Sequence, residues 1–202
     1  MKNATYNING TNGRLEGLLA WLESARPDVV CLQELKAPDE RFPDQALERA
    51  GYGAVWHGQK RWNGVAILSR DAVPIETRRA LPGDTGYAGS RYIEAAVQGV
   101  LIGSLYAPNG NPVESGKLGI KLDWLRQLEA HARDLIGLGV PAIHAGDYNI
   151  IPTEADVYAP ERWEGDALFL PEVRASFARL QKAGWVDALR RLYPDEVIYT
   201  FW

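Results

Sequence analysis

The sequence predicts an α/β fold in which mixed β-sheets carry helices on their outer faces. Short apolar runs of strand length alternate with segments whose leucines recur at helical spacing, the pattern of strand–helix–strand units. Two apolar runs are joined by only Gln98-Gly99, a hairpin connection, so parallel and antiparallel pairing must coexist. No internal repeat, low-complexity tract or linker interrupts the 202 residues, so a single domain over 1–202 is expected, although the length also accommodates two small ones.

The elements follow in order. Residues 4–8 read as a strand that runs into the turn signal Asn9-Gly10. Leu15, Leu18, Leu19 and Leu22 form the apolar stripe of a helix that ends near Arg26-Pro27. Residues 28–32 form a buried strand delivering Gln33-Glu34, and residues 64–69 form another. Residues 92–97 and 100–106 are the two arms of the hairpin. A long helix is predicted over 118–138 from Leu122, Leu125, Leu128, Ala132 and Leu135, followed by a strand over 140–145. A loop containing Pro152 and Pro160 then leads to helices over 171–182 and 186–192.

Hydrophobic residues make up 46% of the chain and charged residues 24%, an ordinary globular composition. No run approaches the roughly 18 apolar residues of a membrane span. Met1-Lys2-Asn3-Ala4-Thr5 enters a strand directly, without the pattern of a secretory leader. The lone cysteine, Cys31, excludes an internal disulfide and suits a reducing cytoplasm. A net charge of −4 argues against a nonspecific nucleic-acid coat. Its distribution is uneven: residues 57–79 are basic on balance and residues 153–175 acidic, compatible with one phosphate-attracting face or with ordinary solvated charges.

The chemistry concentrates at strand ends. The run Val140-Pro141-Ala142-Ile143 leads into Gly146-Asp147-Tyr148-Asn149, and two residues apart on a strand would point Asp147 and Asn149 to the same side. A carboxylate there can orient a water and a carboxamide can donate to a phosphate oxygen. Asn7 and Glu34 end two other strands, and a carboxylate after a buried strand is costly unless it pairs or binds a metal. Taken alone, Glu34 reads equally well as the first solvated residue after a strand, and Asn7 as a turn residue. Taken together, the set suits metal-assisted attack on a phosphodiester.

Five stretches in this order sharpen that reading: Tyr6-Asn7-Ile8-Asn9-Gly10, Leu32-Gln33-Glu34-Leu35-Lys36, Trp62-Asn63-Gly64-Val65-Ala66-Ile67, Tyr106-Ala107-Pro108-Asn109-Gly110 and Gly146-Asp147-Tyr148-Asn149. Each is weak; the ordered set resembles the exonuclease III branch of the endonuclease/exonuclease/phosphatase superfamily, the Mg²⁺-dependent repair nucleases. The resemblance implies two packed mixed β-sheets flanked by helices, a four-layer α/β sandwich. It assigns Glu34 to the metal with Asn7 beside it, and Asp147 to the attacking water. It places Asn149 and Tyr106 on the scissile phosphate and Asn109 on a neighbouring one. Arg91 falls near the DNA backbone, and Phe169 and Trp202 line a pocket for a base-free sugar. It further implies Mg²⁺, with Mn²⁺ as a substitute, a monomer, no membrane, and duplex DNA bearing abasic sites or 3′ ends as partner.

The chain also departs from the family. The family carries a further Asp, and an Asp-His pair, beyond the position of Phe201-Trp202, so the chain is expected to be a C-terminally truncated, weak or inactive form. None of His57, His131 and His144 falls where the family's catalytic histidine would be, and all three read as structural or surface residues. Asn3 stands where an apolar residue is usual and is a poor strand former. Two other readings follow: a superfamily phosphodiesterase acting on a phosphoinositide, sphingolipid or RNA tail, and a noncatalytic DNA- or metal-binding module.

Overall fold

The computed structural model describes residues 1–86 and 89–201. Contacts gather them into two compact units, Met1–Tyr106 with Gly139–Tyr148, and Ala107–Leu138 with Asn149–Trp202.

The first unit contains all eight strands found among the described residues: β1 (Asn3–Asn7), β2 (Val29–Gln33), β3 (Tyr52–His57), β4 (Val65–Arg70), β5 (Ile75–Arg79), β6 (Tyr92–Val97), β7 (Val100–Tyr106) and β8 (Ala142–Asp147). They form two four-stranded sheets, in the orders β1-β2-β4-β3 and β5-β6-β7-β8. Each sheet has one parallel pair, β1 with β2 and β7 with β8, and is otherwise antiparallel. The expectation of two mixed sheets is borne out.

Strand alternation decides which side chains meet. Val29 and Cys31 of β2, Val65 and Ile67 of β4, Ile93, Ala95 and Val97 of β6, and Ile102 of β7 form one buried cluster between the sheets. The other face of the first sheet, with Val30 and Leu32 of β2 and Ala66 and Leu68 of β4, packs on helices α1 (Leu15–Ala25) and α2 (Asp44–Arg49) through Leu18, Leu22 and Leu47. Because β2 is covered on both faces, its sequence is a continuous apolar run rather than an alternating one. Helix α1 stops where Arg26 turns left-handed (φ 44°) and its amide donates to the Leu22 carbonyl, just before Pro27.

Three elements escape the sequence reading: α2, β3 and β5. All five residues of β5 are exposed, so it carries no apolar alternation and is held by main-chain pairing to β6. Helix α2 has only six residues and a single buried side chain, Leu47. Asn3, despite its poor strand propensity, opens β1, because its backbone pairs with Val29.

In the second unit, helix α3 (Lys117–Gly137) buries Trp124, Leu125, Leu128, Ala132 and Leu135 on one face. Helix α4 (Pro171–Lys182) is tied to it by Arg179, which donates to both carboxylate oxygens of Glu129 at 2.8 and 2.9 Å. The indole of Trp185 caps the same contact by donating to the Ala132 carbonyl at 3.0 Å. The short helix α5 (Ala188–Leu192) starts at Asp187, whose carboxylate accepts from the Arg190 amide. A smaller apolar cluster joins Ile151, Val157 and Leu168. No helix among the described residues is long and apolar enough to cross a membrane.

Two measurements check this packing. Leu32 is fully buried, and Leu32→Ala is expected to cost about 2–5 kcal/mol in urea denaturation. Burial pushes the Cys31 thiol up to about 12, so iodoacetamide at pH 8 is expected to leave the native protein unmodified and to label it after denaturation, as read by intact mass.

Candidate functional site

The two parallel strand pairs bring their carboxyl ends together with a set of polar side chains. In the β1–β2 register Asn7 stands opposite Gln33, so Glu34 emerges one residue further on, beside Asn7. In the β7–β8 register Tyr106 stands opposite Asp147. The carboxyl ends of parallel strands are where α/β sheets place their ligands. Gly146 makes the second pairing feasible. Its φ is 153°, and a Cβ there would lie 1.9 Å from the Leu105 carbonyl oxygen, so no side chain fits between the strand ends.

These four side chains form one network. The Asn7 amide donates to Glu34 Oε1 at 3.0 Å and to Asp147 Oδ2 at 3.1 Å. The Tyr106 hydroxyl donates to Glu34 Oε1 at 2.9 Å. Lys36, to which the sequence reading gave no role, holds the other oxygen, Oε2, at 2.9 Å. Burial raises the pKa of Glu34, but the hydrogen bonds from Asn7, Lys36 and Tyr106 outweigh it and the net shift is downward, so the carboxylate is ionised. The reverse holds for Tyr106: burial, then the charge of Glu34, push its phenol far above the usual range, and it stays a neutral donor.

Glu34 and Lys36 both adopt left-handed backbone conformations, with φ of 55° and 51°. Residues other than glycine take that conformation at a cost and cluster at functional sites. Here the main chain over-determines it. Leu35 and Lys36 donate to the Gly64 and Asn63 carbonyls, and Gly10 and Thr11 donate to those of Glu34 and Leu35. Arg91 lies with its guanidinium 4.8 Å from the centre of the Tyr106 ring and donates to the Tyr106 carbonyl at 3.2 Å. Its immediate effect is to hold Tyr106. Trp62, two-thirds exposed, stands 5.5 Å from the Lys36 ammonium.

The second unit brings Asn109 and Asn149 together. Asn109 Nδ2 donates to Asn149 Oδ1 at 3.3 Å, and Asn149 Nδ2 donates to the Ala107 carbonyl at 2.8 Å. One expectation is corrected: β8 ends at Asp147, and Asn149 has a left-handed backbone (φ 49°), so the two do not share a strand face. A residue that leaves the extended conformation loses the two-residue alternation of the strand. Phe169 is half-buried, with the Arg174 guanidinium 4.8 Å from its ring centre. Trp202 lies outside the described residues.

Of the three histidines, His144 has Nε2 3.2 Å from the Tyr92 hydroxyl, which donates to Glu94 at 2.9 Å. His57 Nδ1 lies 3.4 Å from the Tyr92 carbonyl oxygen.

Residues 4–202 match the Endonuclease/Exonuclease/phosphatase family. The chain belongs to this family. Exodeoxyribonuclease III of Haemophilus influenzae is 35% identical over 205 residues, covering 96% of the chain and 76% of that protein. Among solved structures, an AP endonuclease from Archaeoglobus fulgidus superposes with a TM-score of 0.94 at 33% identity, covering all of the chain and 78% of its own. The 3′ phosphatase NExo from Neisseria, bound to a product DNA hairpin, gives 0.91 at 35% identity, covering 98% and 76%. The expected resemblance to the exonuclease III branch is therefore borne out, and the chain is a hydrolase of the phosphodiesterase and nuclease type.

The first-unit cluster suits a hard divalent cation: an ionised carboxylate, a second carboxylate and an amide are oxygen-rich groups of the kind such ions take. The network also makes a prediction. Tyr106→Phe removes a hydrogen bond to the charged form of Glu34, so in metal-free protein the Glu34 carboxyl is expected to titrate at higher pH than in the parent, as followed by carboxyl ¹³C NMR.

Proposed function

We propose that this protein is a Mg²⁺-dependent DNA repair nuclease of exonuclease III type, which cleaves duplex DNA at abasic sites and trims 3′ ends. The observation that carries the reading is the convergence of Asn7, Glu34, Tyr106 and Asp147 at the carboxyl ends of parallel strands. Family membership and the names of the similar proteins support DNA as the substrate, as does the DNA hairpin bound to the Neisseria relative.

Glu34, ionised and held by three donors, would hold Mg²⁺, or Mn²⁺ in its place, with Asn7 beside it. When bound, the ion supplies positive charge to the phosphate and the leaving oxygen. Asp147, whose Oδ2 is aimed by Asn7, orients the attacking water and takes its proton. Tyr106, a neutral phenol steadied by Arg91, turns its one O–H from Glu34 to the phosphate when substrate binds. Asn149 and Asn109 are assigned to the scissile and neighbouring phosphates. Phe169 and Trp202 are assigned to the pocket for a base-free sugar, so that a missing base is recognised by shape. We place the protein in the cytoplasm as a monomer, consistent with its single buried, reduced cysteine.

The decisive assay compares nicking of an abasic-site duplex, an intact duplex and a phospholipid in Mg²⁺ and in EDTA. Cleavage of the abasic duplex alone, abolished by EDTA, is expected; equal or faster turnover of the lipid would defeat the DNA assignment. Asp147→Asn is expected to remove at least 99% of nicking while leaving duplex affinity within about threefold, measured by fluorescence anisotropy, since it deletes a proton acceptor and no phosphate donor.

A further inference from the structure

The second unit contains a charged side chain that none of these roles uses. Lys121 sits near the start of α3, on the same face as Trp124, Leu125 and Leu128, and is 0% exposed. An ammonium group gives up much hydration in such a place unless its three N–H bonds find acceptors. They do. Nζ donates to the carbonyls of Asn109 at 2.9 Å, Asn149 at 2.5 Å and Ala167 at 3.0 Å. Those oxygens come from three separate loop segments, and two belong to the asparagines assigned above to phosphate.

The surroundings are shaped to let this side chain pass. Gly110 has a φ of 94°, and a Cβ there would lie 2.9 Å from Lys121 Cδ and 2.9 Å from Ala167 Cβ. A second clasp joins the same segments: Asn111 donates to both oxygens of Asp166 at 3.1 Å and accepts from the Ala167 amide at 3.1 Å. A leucine or methionine would fill the helix face without desolvating a charge. What a lysine adds is a fixed point for three main-chain oxygens. At Asn149 that matters most, because its left-handed peptide is held on one side by the ammonium and on the other by its own amide on the Ala107 carbonyl.

We infer that Lys121 is a positioning residue for the phosphate-binding amides. Its ammonium sets the main chain of Asn109 and Asn149 and so holds their carboxamides as a pair. It touches no substrate and acts through the two asparagines. The inference rests on the assignment of Asn149 to the scissile phosphate.

A double-mutant cycle on the whole chain separates the two. Single-turnover nicking of an abasic-site duplex in Mg²⁺ is measured for the parent, Lys121→Met, Asn149→Ala and the double variant, with urea denaturation of each. Asn149→Ala is expected to slow nicking about 10²–10³-fold, the usual loss for one donor to a developing oxyanion. Lys121→Met is expected to slow it about 10–100-fold in the parent but by less than about threefold when Asn149 is already gone, because interacting residues are non-additive. Lys121→Arg, which keeps the charge and several donors, is expected to recover at least about tenfold of that loss. An equal factor in both backgrounds, or no effect of Lys121→Met, would overturn the inference while leaving Asn149 in its role. An unaltered rate for Asn149→Ala would instead overturn the phosphate assignment and the inference with it. If Lys121→Met shows no cooperative urea transition, Lys121→Gln, which removes the charge but keeps a polar end, replaces it in the cycle, and an equal factor in both backgrounds is again the overturning result.

Discussion

The first unit depends on keeping one carboxylate charged in a half-buried place. Water is scarce around Glu34, and burial alone would favour its protonated form. Asn7, Lys36 and Tyr106 reverse that preference, each with a hydrogen bond that only the anion accepts fully. The arrangement acts on its neighbours in turn. Burial, with the charge of Glu34 added to it, pushes the Tyr106 phenol above its usual range, and the amide that serves Glu34 also aims Asp147. Glu34 therefore reinforces the neutral form of Tyr106 and shares with Asp147 the amide of Asn7, before any substrate arrives. Such preorganisation is what an active site needs if it is to stabilise developing charge without rearranging.

The second unit answers a similar demand with the opposite sign. Lys121 is a cation removed from water, and main-chain carbonyls take the place of hydration. Carbonyls are fixed to the chain in a way that solvent is not, so satisfying the ammonium also fixes the loops. In both units a buried charge is tolerated because its hydrogen-bond partners are complete, and the geometry of those partners is the gain. Lys36 and Lys121 show how differently one residue type can be used. The first pairs with a half-buried carboxylate beside an indole; the second ties three loop segments from inside the fold.

Much of the architecture was legible because local pattern and tertiary role agree. The strands at 92–97 and 100–106 and the helix at 171–182 lie where the sequence places them, and the long helix differs by one residue at each end. Strand β5 was not legible because none of its side chains is buried, leaving main-chain pairing and polar contacts such as Thr77 to Glu94 to hold it. Within the site, Asn7, Glu34, Tyr106 and Asp147 could be picked out by residue type and position at strand ends. Lys121 could not, although a signal existed: it falls four residues before Leu125 on an otherwise apolar stripe. A lysine there reads as the edge of the stripe until its acceptors are known, and those come from residues 109, 149 and 167.

The sequence by itself determined the family, the alternation of strands and helices, and which residue types could bind a metal, prepare a water and hold a phosphate. These are properties of composition, spacing and order along the chain. Only the tertiary structure decided that Asn7 bridges Glu34 and Asp147, that Arg91 lies over Tyr106, that Asn149 leaves the strand, and that Lys121 is buried. Those facts arise from strand register and loop closure between residues as many as 140 apart in sequence. No local pattern encodes them, because distance along the chain carries no information about which carbonyl or carboxylate will be within 3 Å once the sheets have packed.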